Sequence, residues 1–376
     1  MFSEKLNLLK EKNLLRRIYD RESPQGPRIL LKGQEYISFS SNDYLGLAGH
    51  PYIINTATES MSRYGFGAGA SRLLSGGSIL HHQLEEKIAQ FKNTEAALVF
   101  NSGYAANTGI IPALADRDTV LFSDELNHAS IIDGCRLSNA ETVVYNHKDV
   151  MHLEECLKKK AATKKVIVTD TIFSMNGDIA PLREIVRLCR TYNAYLYIDE
   201  AHATGVIGKG KGALAHFDID PEPWIIQMGT FSKALGSFGA FLAGSADIIA
   251  WTLNTSRSFI YSTALPSCII AASIAALELM ENDPHIIKQL WTNRDKAAQG
   301  ILAAGYDTMG SETPIIPIKT GSIQNTLRIA KYLFEQGIFA PAIRPPSVKE
   351  PRIRITVTAA HTDEDIERLI EALEKI

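Results

Sequence analysis

Cysteine is scarce in this 376-residue sequence. The four cysteines, Cys135, Cys156, Cys189 and Cys268, are widely spaced and never form C-x-x-C. That speaks against a disulfide framework and a cysteine zinc site, and leaves reduced, buried thiols as the expectation. Long apolar runs are also missing. The longest mostly apolar stretch, Cys268 to Met280, contains Ser273 and Glu278 and falls short of the ~20 residues a membrane-spanning helix needs. The opening residues, MFSEKLNLLKEKNLLRR, carry charge throughout and lack the apolar segment of a signal peptide, so a cytoplasmic protein is expected. A net charge of -3 gives no electrostatic footprint for nucleic acid and no polybasic membrane anchor. There is no fixed-period repeat, no low-complexity tract, no G-x-S-x-G elbow and no H-E-x-x-H.

What is present is ordinary globular composition, with 45% apolar and 22% charged residues, at a length that suits two or three domains. Short β-branched runs alternate with amphipathic helical patterns through the middle of the chain. The candidate strands are Ala96–Phe100, Thr119–Phe122, Glu141–Tyr145, Val166–Thr169, Tyr195–Ile198, Ile225–Met228 and Phe241–Ala243. Such alternation predicts an α/β domain with a mostly parallel sheet, and such sheets bind ligands beyond the carboxyl ends of their strands. After residue 270 prolines punctuate short strands and loops. The chain then ends in a helix announced by Thr362 and Asp365, with an apolar stripe of Ile366, Leu369, Ile370, Leu373 and Ile376. The expected organisation is an N-terminal helix and arm over residues 1–45, a large domain over 46–270 and a smaller C-terminal α/β domain over 271–376.

Some motifs lead nowhere. Asp199-Glu-Ala-His202 matches the Walker B box of some helicases, but the only approach to a P-loop, Gly205 to Gly212, lies downstream and lacks the Ser or Thr that would bind Mg²⁺. Gly65-Phe-Gly67-Ala-Gly69 ends on Arg72 where a dinucleotide fingerprint needs glycine, and no strand precedes it. His81-His82 lacks metal-ligand spacing and reads as the opening of a helix. No metal is expected.

The segments that follow the strands make sense together. Tyr195-Leu-Tyr-Ile-Asp199-Glu-Ala-His202 puts an acid and a histidine at a strand end. Lys233 follows another strand, between Thr230 and Gly236, about 34 residues after Asp199. Asn101-Ser102-Gly103-Tyr104 joins a strand to a helix start, where free backbone N–H groups and the helix dipole favour a phosphate. His128 follows a further strand. Singly, Lys233 reads as a solvated lysine, Asp199 as a helix cap and His128 as a hydrogen-bonded structural residue. In this order they are what pyridoxal phosphate requires: a lysine amine to hold the aldehyde, an acid for the pyridinium nitrogen, an anion cradle and an imidazole to stack on the ring.

At this point the chain resembles a known family over nearly its whole length, the α-oxoamine synthases, which are fold-type I pyridoxal-phosphate enzymes. The matching segments are SSNDYLGL (Ser40–Leu47), NSGYAAN, DELNHASIIDG (Asp124–Gly134), FSMNGD (Phe173–Asp178), DEAHATGVIG (Asp199–Gly208), TFSKALGSFG (Thr230–Gly239), YSTALP (Tyr261–Pro266) and RIRITVTAAHT (Arg352–Thr362). The resemblance implies a mostly parallel seven-stranded sheet flanked by helices, plus a smaller C-terminal α/β domain. It also implies a homodimer with shared active sites. The stretch Ala342 to Ser347 ahead of Arg352-Ile-Arg354 implies the branch that condenses L-alanine with a pimeloyl thioester, on CoA or acyl carrier protein. Sister enzymes that use glycine or serine with other acyl thioesters are the alternative.

Carried over by position, the resemblance implies a role for each of a set of residues. Lys233 anchors the cofactor. Asp199 pairs with the pyridinium nitrogen, and His202 bonds the phenolic oxygen, near which Ser174 lies. His128 stacks on the ring. Gly103, Tyr104 and Thr230 hold the phosphate, with Thr263 reaching over from a second subunit. Arg354, beside Asn42, holds the amino-acid carboxylate, and Arg16 and Ser347 contact the substrate. Two alternatives stay open: Arg16 as a charged face of the N-terminal helix, and Ser347 as a shaper of a proline loop. Asp170 stands where some members carry glutamate, and Asn176 where many carry aspartate. The basic runs Lys158–Lys160, Lys164-Lys165 and Lys209 to Lys211 suit either an acidic carrier or a solvated face.

Overall fold

Except at the edge run Glu141–Tyr145, the β-branched runs in the middle of the chain are buried on both faces, the environment of a parallel sheet covered by helices. The computed structural model describes residues 2–376. In chain order its strands are β1 (Arg28–Leu31), β2 (Gln34–Ser38), β3 (Ala96–Phe100), β4 (Thr119–Asp124), β5 (Glu141–Tyr145), β6 (Lys164–Asp170), β7 (Ala194–Asp199), β8 (Ile225–Thr230), β9 (Ala240–Gly244), β10 (Ile315–Lys319), β11 (Ile338–Phe339), β12 (Ala342–Ile343) and β13 (Arg352–Thr356). All seven expected strands form, several of them a residue or two longer at an end. The chain separates into two compact units: His50–Phe173 with Ile179–Ile287, and the residues through Gly49 with Ser174–Asp178 and Lys288–Ile376.

The larger unit holds one seven-stranded sheet in the order β3-β9-β8-β7-β6-β4-β5. Strand β9 runs antiparallel to both its neighbours, and every other pair is parallel. Strands β4 and β8 are buried at every position, whereas the edge strand β5 exposes Glu141 and Thr142. One face packs Leu98, Ile110, Ile131, Val168 and Met228 into a single cluster. Parallel strands end on the same side, so Asp124, Asp170, Asp199 and Thr230 close β4, β6, β7 and β8 along one edge of the sheet. The register sets Asp170 directly opposite Asp199.

The helix expected between Pro266 and Pro284 spans Ser267–Asn282. It packs on the helices Pro51–Tyr64 and Ile79–Lys92 of the larger unit. A boundary near residue 270 would cut through this helix, and the units part after Ile287 instead. His81 does open a helix: it sits in the first turn of Ile79–Lys92, where its ring accepts the Ser78 N–H at 3.1 Å. The four cysteines are free and buried, and burial pushes the Cys135 thiol up to about 12.

The smaller unit takes in the N-terminal arm. Strand β2 pairs antiparallel with β1 and parallel with β11, while β13 pairs antiparallel with β10 and β12. Ile37 and Phe39 from the arm share a core with Ile316, Ile353, Ile355 and Leu369. The last helix, Asp363–Glu374, begins with the expected reciprocal cap between Thr362 and Asp365. Among the described residues no helix is long and apolar enough to cross a membrane.

Candidate active site

In the larger unit the carboxyl edge of the sheet gathers the polar residues that the sequence singled out. Asp199 ends β7 and is 4% exposed. Its Oδ1 accepts the Ala201 N–H at 2.8 Å, and its Oδ2 accepts Asn107 Nδ2 at 2.8 Å. The same Asn107 amide donates to Ser130 Oγ at 2.8 Å, and its oxygen accepts the Tyr197 hydroxyl at 2.6 Å. His128 caps the helix Ala129–Leu137. Its backbone N–H donates to Asp170 Oδ2 at 2.6 Å, and its Nδ1 lies 2.7 Å from Ser130 Oγ. His202 is buried in the turn after β7.

Lys233 follows β8 in a tight loop in which the Gly236 N–H donates to the Lys233 carbonyl at 2.9 Å. Its ammonium acts on both His128 and Asp170. Burial pushes the His128 imidazole below its ordinary range; the Asp199 charge opposes this and Lys233 reinforces it. Burial, followed by repulsion from Asp199, holds the Asp170 carboxyl well above the usual carboxylate range, and the bond from His128 and the charge of Lys233 only partly offset it. Both shifts favour the uncharged forms of His128 and Asp170 beside Asp199.

These residues fit pyridoxal phosphate. The Thr230 hydroxyl is buried and has no hydrogen-bond partner. A Cβ at Gly103 would come within 2.8 Å of Thr230 Cγ2, so only glycine leaves the gap between them open. Gly103 and Tyr104 begin the helix Gly103–Leu114, where Ser102 Oγ accepts the Ala105 N–H, and the first N–H groups of a helix have no partner inside it. A buried hydroxyl without a partner, on a residue that lies beside a helix start, suits a phosphate. Asp199, an acceptor at the end of β7, suits a protonated ring nitrogen. The Tyr104 hydroxyl donates to Asp133. Thr263 is exposed, and its carbonyl accepts Asn101 Nδ2 at 2.8 Å.

The smaller unit assembles a guanidinium grip. Arg354, on β13, is 8% exposed. Its Nε donates to the Ser174 carbonyl at 2.6 Å, its Nη1 to Thr356 Oγ1 at 2.9 Å and its Nη2 to Asn42 Oδ1 at 3.0 Å. Nη2 also approaches the Tyr44 hydroxyl at 3.5 Å, which leaves one Nη1–H free for a carboxylate and a second to be gained by displacing that long contact. Arg352, two positions earlier on the same face of β13, donates to the Met175 carbonyl at 3.1 Å and to Asn176 Oδ1 at 2.6 Å. Asn176 accepts this bond as a neutral group.

Arg16 and Ser347, both expected to touch substrate, touch each other: Arg16 Nη2 donates to Ser347 Oγ at 2.8 Å. The N-terminal helix ends at Glu11, so Arg16 is not part of its charged face. The two residues line a groove of about 490 Å³ together with Tyr19, Phe334 and Phe339 and the cations Arg17 and Arg344. The basic run Lys158–Lys160 is neutralised locally, each lysine pairing with Glu154, Glu155 or Glu141.

The sequence left Asn107, Ser130, Tyr197 and Asp170 without a catalytic role, although the first three lie inside segments named above. For Asn107, Ser130 and Asp170 the signal is positional: each follows or ends a strand at the carboxyl edge, or faces it from a neighbouring helix. Tyr197 alone sits within an apolar strand that gave no such sign.

Comparison with known proteins supports the same fold and chemistry. The profile of the family described as aminotransferase class I and II matches residues 34–373. A protein from Thermodesulfovibrio yellowstonii is 51% identical over 99% of this chain and 96% of its own length. The 8-amino-7-oxononanoate synthase of Thermoanaerobacter pseudethanolicus is 45% identical over 99% and 95%. Among solved structures, a serine palmitoyltransferase from S. paucimobilis with PLP and myriocin bound superposes with a TM-score of 0.94 at 26% identity, covering 100% of this chain and 96% of that one. An 8-amino-7-oxononanoate synthase from Francisella tularensis superposes with a TM-score of 0.80 at 28% identity, covering 90% and 97%. The fold is that of the fold-type I pyridoxal-phosphate-dependent transferases. The chain belongs to the aminotransferase class I and II family and, within it, to the α-oxoamine synthases.

Proposed function

We propose that this chain acts as an 8-amino-7-oxononanoate synthase of biotin synthesis, joining L-alanine to a pimeloyl thioester with release of CO₂ and the free thiol carrier. The relatives that share its full length support this reading. The observation that carries it is the unpartnered hydroxyl of Thr230, a residue packed beside Gly103 at the helix start, on the same sheet edge as Asp199 and Lys233.

When bound, pyridoxal phosphate supplies an electron sink for the amino acid's α-carbon. The chain's residues divide the remaining work. Gly103, Tyr104 and Thr230 hold the phosphate, and Asp199 keeps a proton at the ring nitrogen. His202 donates to the phenolic oxygen, with Ser174 contributing there, and His128 stacks on the ring. Lys233 would hold the cofactor through its side-chain amine, and the same amine would be the base that takes a proton from the alanine Cα. Arg354 and Asn42 hold the alanine carboxylate until it leaves as CO₂. Arg16 and Ser347, at the mouth of the apolar groove, take the acyl donor. Thr263 serves the phosphate of a second copy, which makes the protein a homodimer with shared sites. The carrier is CoA or acyl carrier protein, and the compartment is the cytoplasm.

The test is mass spectrometry of the product formed from alanine with pimeloyl-CoA and with pimeloyl-acyl carrier protein, run beside glycine and serine. Formation of 8-amino-7-oxononanoate from alanine alone is expected. Turnover of glycine or serine in preference to alanine would reassign the chain to a sister activity.

A further inference from the structure

His128 is held by donors whose directions can be counted. The Ser130 backbone N–H points at His128 Nδ1 at 3.2 Å. A backbone amide can only donate, so Nδ1 must be an acceptor there. The Ser130 hydroxyl is consistent with this. Its oxygen is 2.8 Å from Asn107 Nδ2, which also can only donate, and 2.7 Å from His128 Nδ1. Because the backbone N–H already makes Nδ1 an acceptor, the Ser130 hydroxyl, which accepts from Asn107, must point its own proton at Nδ1.

The orientation of the Asn107 amide is fixed in turn. Its Nδ2 faces the acceptor Asp199 Oδ2 at 2.8 Å, and its oxygen receives the Tyr197 hydroxyl at 2.6 Å. Turning the amide over would set two oxygens against each other at Asp199. Asn107 is fully buried and Ser130 is 1% exposed, so water does not compete for these bonds.

We infer that Asn107 and Ser130 are positioning residues that fix His128 as a neutral imidazole with its single proton on Nε2, in a relay that starts at Asp199. The relay couples the acid that serves the ring nitrogen to the histidine that serves the ring face. It leaves Nε2–H as the only donor His128 can offer, whether to a substrate carboxylate or to a thioester oxygen. The significance for catalysis rests on the reading that His128 lies on the cofactor. The tautomer itself does not depend on it.

The titratable groups that face His128 are Asp199 on β7, Lys233 after β8 and Asp170 at the end of β6, which takes the His128 backbone N–H at 2.6 Å. Asp199 favours the imidazolium and Lys233 disfavours it. Donation into Nδ1 adds to the side of Lys233, because a protonated Nδ1 would meet both Ser130 donors head-on.

The experiment is nitrogen NMR of the full protein labelled with ¹⁵N-histidine, with cofactor bound and again after its removal. A His128→Gln variant assigns the ring signals. In the unsubstituted protein at neutral pH, Nδ1 is expected at the shift of an unprotonated ring nitrogen and Nε2 at that of a protonated one. In Ser130→Ala, which loses one of the two donors, the titration midpoint of His128 is expected to rise by about one pH unit. A proton on Nδ1 in the unsubstituted protein would overturn the inference, as would an unmoved midpoint in Ser130→Ala. The first measurement needs no variant beyond the assignment control. Neither outcome depends on which amino acid or acyl donor the enzyme accepts, so failure here is distinguishable from failure of the proposed activity.

Discussion

Arg354 donates its Nη2 to the side-chain oxygen of Asn42 at 3.0 Å, and so joins strand β13 to a residue 312 positions earlier in the chain. With Nε on the Ser174 carbonyl and Nη1 on Thr356, the guanidinium plane cannot rotate. A substrate carboxylate would meet an arginine already aimed, which lowers the ordering cost of a bidentate pair. Arg354→Ala is therefore expected to raise the KM for alanine ~10- to 100-fold while changing the KM for the acyl donor much less. Asn42→Ala should shift the same constant in the same direction by a smaller factor. Equal effects of Arg354→Ala on both substrates would remove the carboxylate role.

Lys233 stands among groups that hold it in a polar, half-buried loop, where its charge acts on His128 and Asp170. Borohydride reduction of the holoenzyme followed by peptide mapping is expected to place the cofactor's mass on the peptide that contains Lys233. Lys233→Ala should bind cofactor weakly, lose the visible absorption of a lysine-linked pyridoxal and lose turnover. Label on a different lysine would displace it as the anchor.

The buried pair Lys92 and Glu200 yields a stability prediction. Both side chains have no exposed surface. Lys92 Nζ also donates to Thr204 Oγ1 at 3.0 Å and to the Lys211 carbonyl at 2.7 Å, while Glu200 Oε1 accepts the Ala213 N–H at 2.6 Å. A Cβ at Gly212, where φ is +104, would come within 2.5 Å of the Glu200 carboxylate. Burial pulls the Lys92 pKa down and Glu200 pulls it back. Lys92→Met strands a carboxylate in the core and should cost ~3–5 kcal/mol. Lys92→Met combined with Glu200→Gln should recover part of that loss. Chemical denaturation of the single and paired variants measures the difference, and additive losses would mean that the two charges do not stabilise each other.

How far the sequence carried the reading differs from element to element. Strands such as Ile225–Met228 announced themselves because a strand buried on both faces is a continuous apolar run, and the last helix did so because a reciprocal cap is local chemistry. The order of Asp199 and Lys233 was visible for a similar reason, since each closes a strand or lies just past one. Pairings between distant segments carry no local mark. Nothing near Ile37 says that it will pair with Ile338, or that Lys92 will meet Glu200. The placement of the N-terminal arm with the C-terminal unit follows from such pairings and lay outside any pattern of periodicity. Asn107 was quoted within a motif yet given no role, because its importance lies in meeting Asp199, Ser130 and Tyr197 at once.

His361 carries the last prediction, a dependence of stability on pH. Its ring is 3% exposed and stacks on Phe39 at 4.4 Å between centroids. Nδ1 accepts the Thr358 N–H at 3.0 Å, and Nε2 lies 3.1 Å from the Ser38 carbonyl. A second ring proton would have to enter at Nδ1, against an N–H, in a buried site. Burial pushes its pKa down to about 4 from the ordinary 6.5, against the pull of Asp365. A histidine held neutral when folded binds fewer protons than it does unfolded, so its contribution is intact above pH 6.5 and disappears as the pH falls toward 4. The loss amounts to about 3 kcal/mol. Asp43 works in the opposite direction: burial raises its carboxyl to about 6, so acidification over the same range favours the folded state at that residue. The two effects overlap in the total curve, and the difference between variants separates them. His361→Gln should be less stable than the unsubstituted protein at pH 7.5. It should lose less stability between pH 7 and pH 4.5, so that the two denaturation midpoints converge on the acid side. Parallel curves across that range would mean that His361 does not titrate in the folded chain as its burial requires.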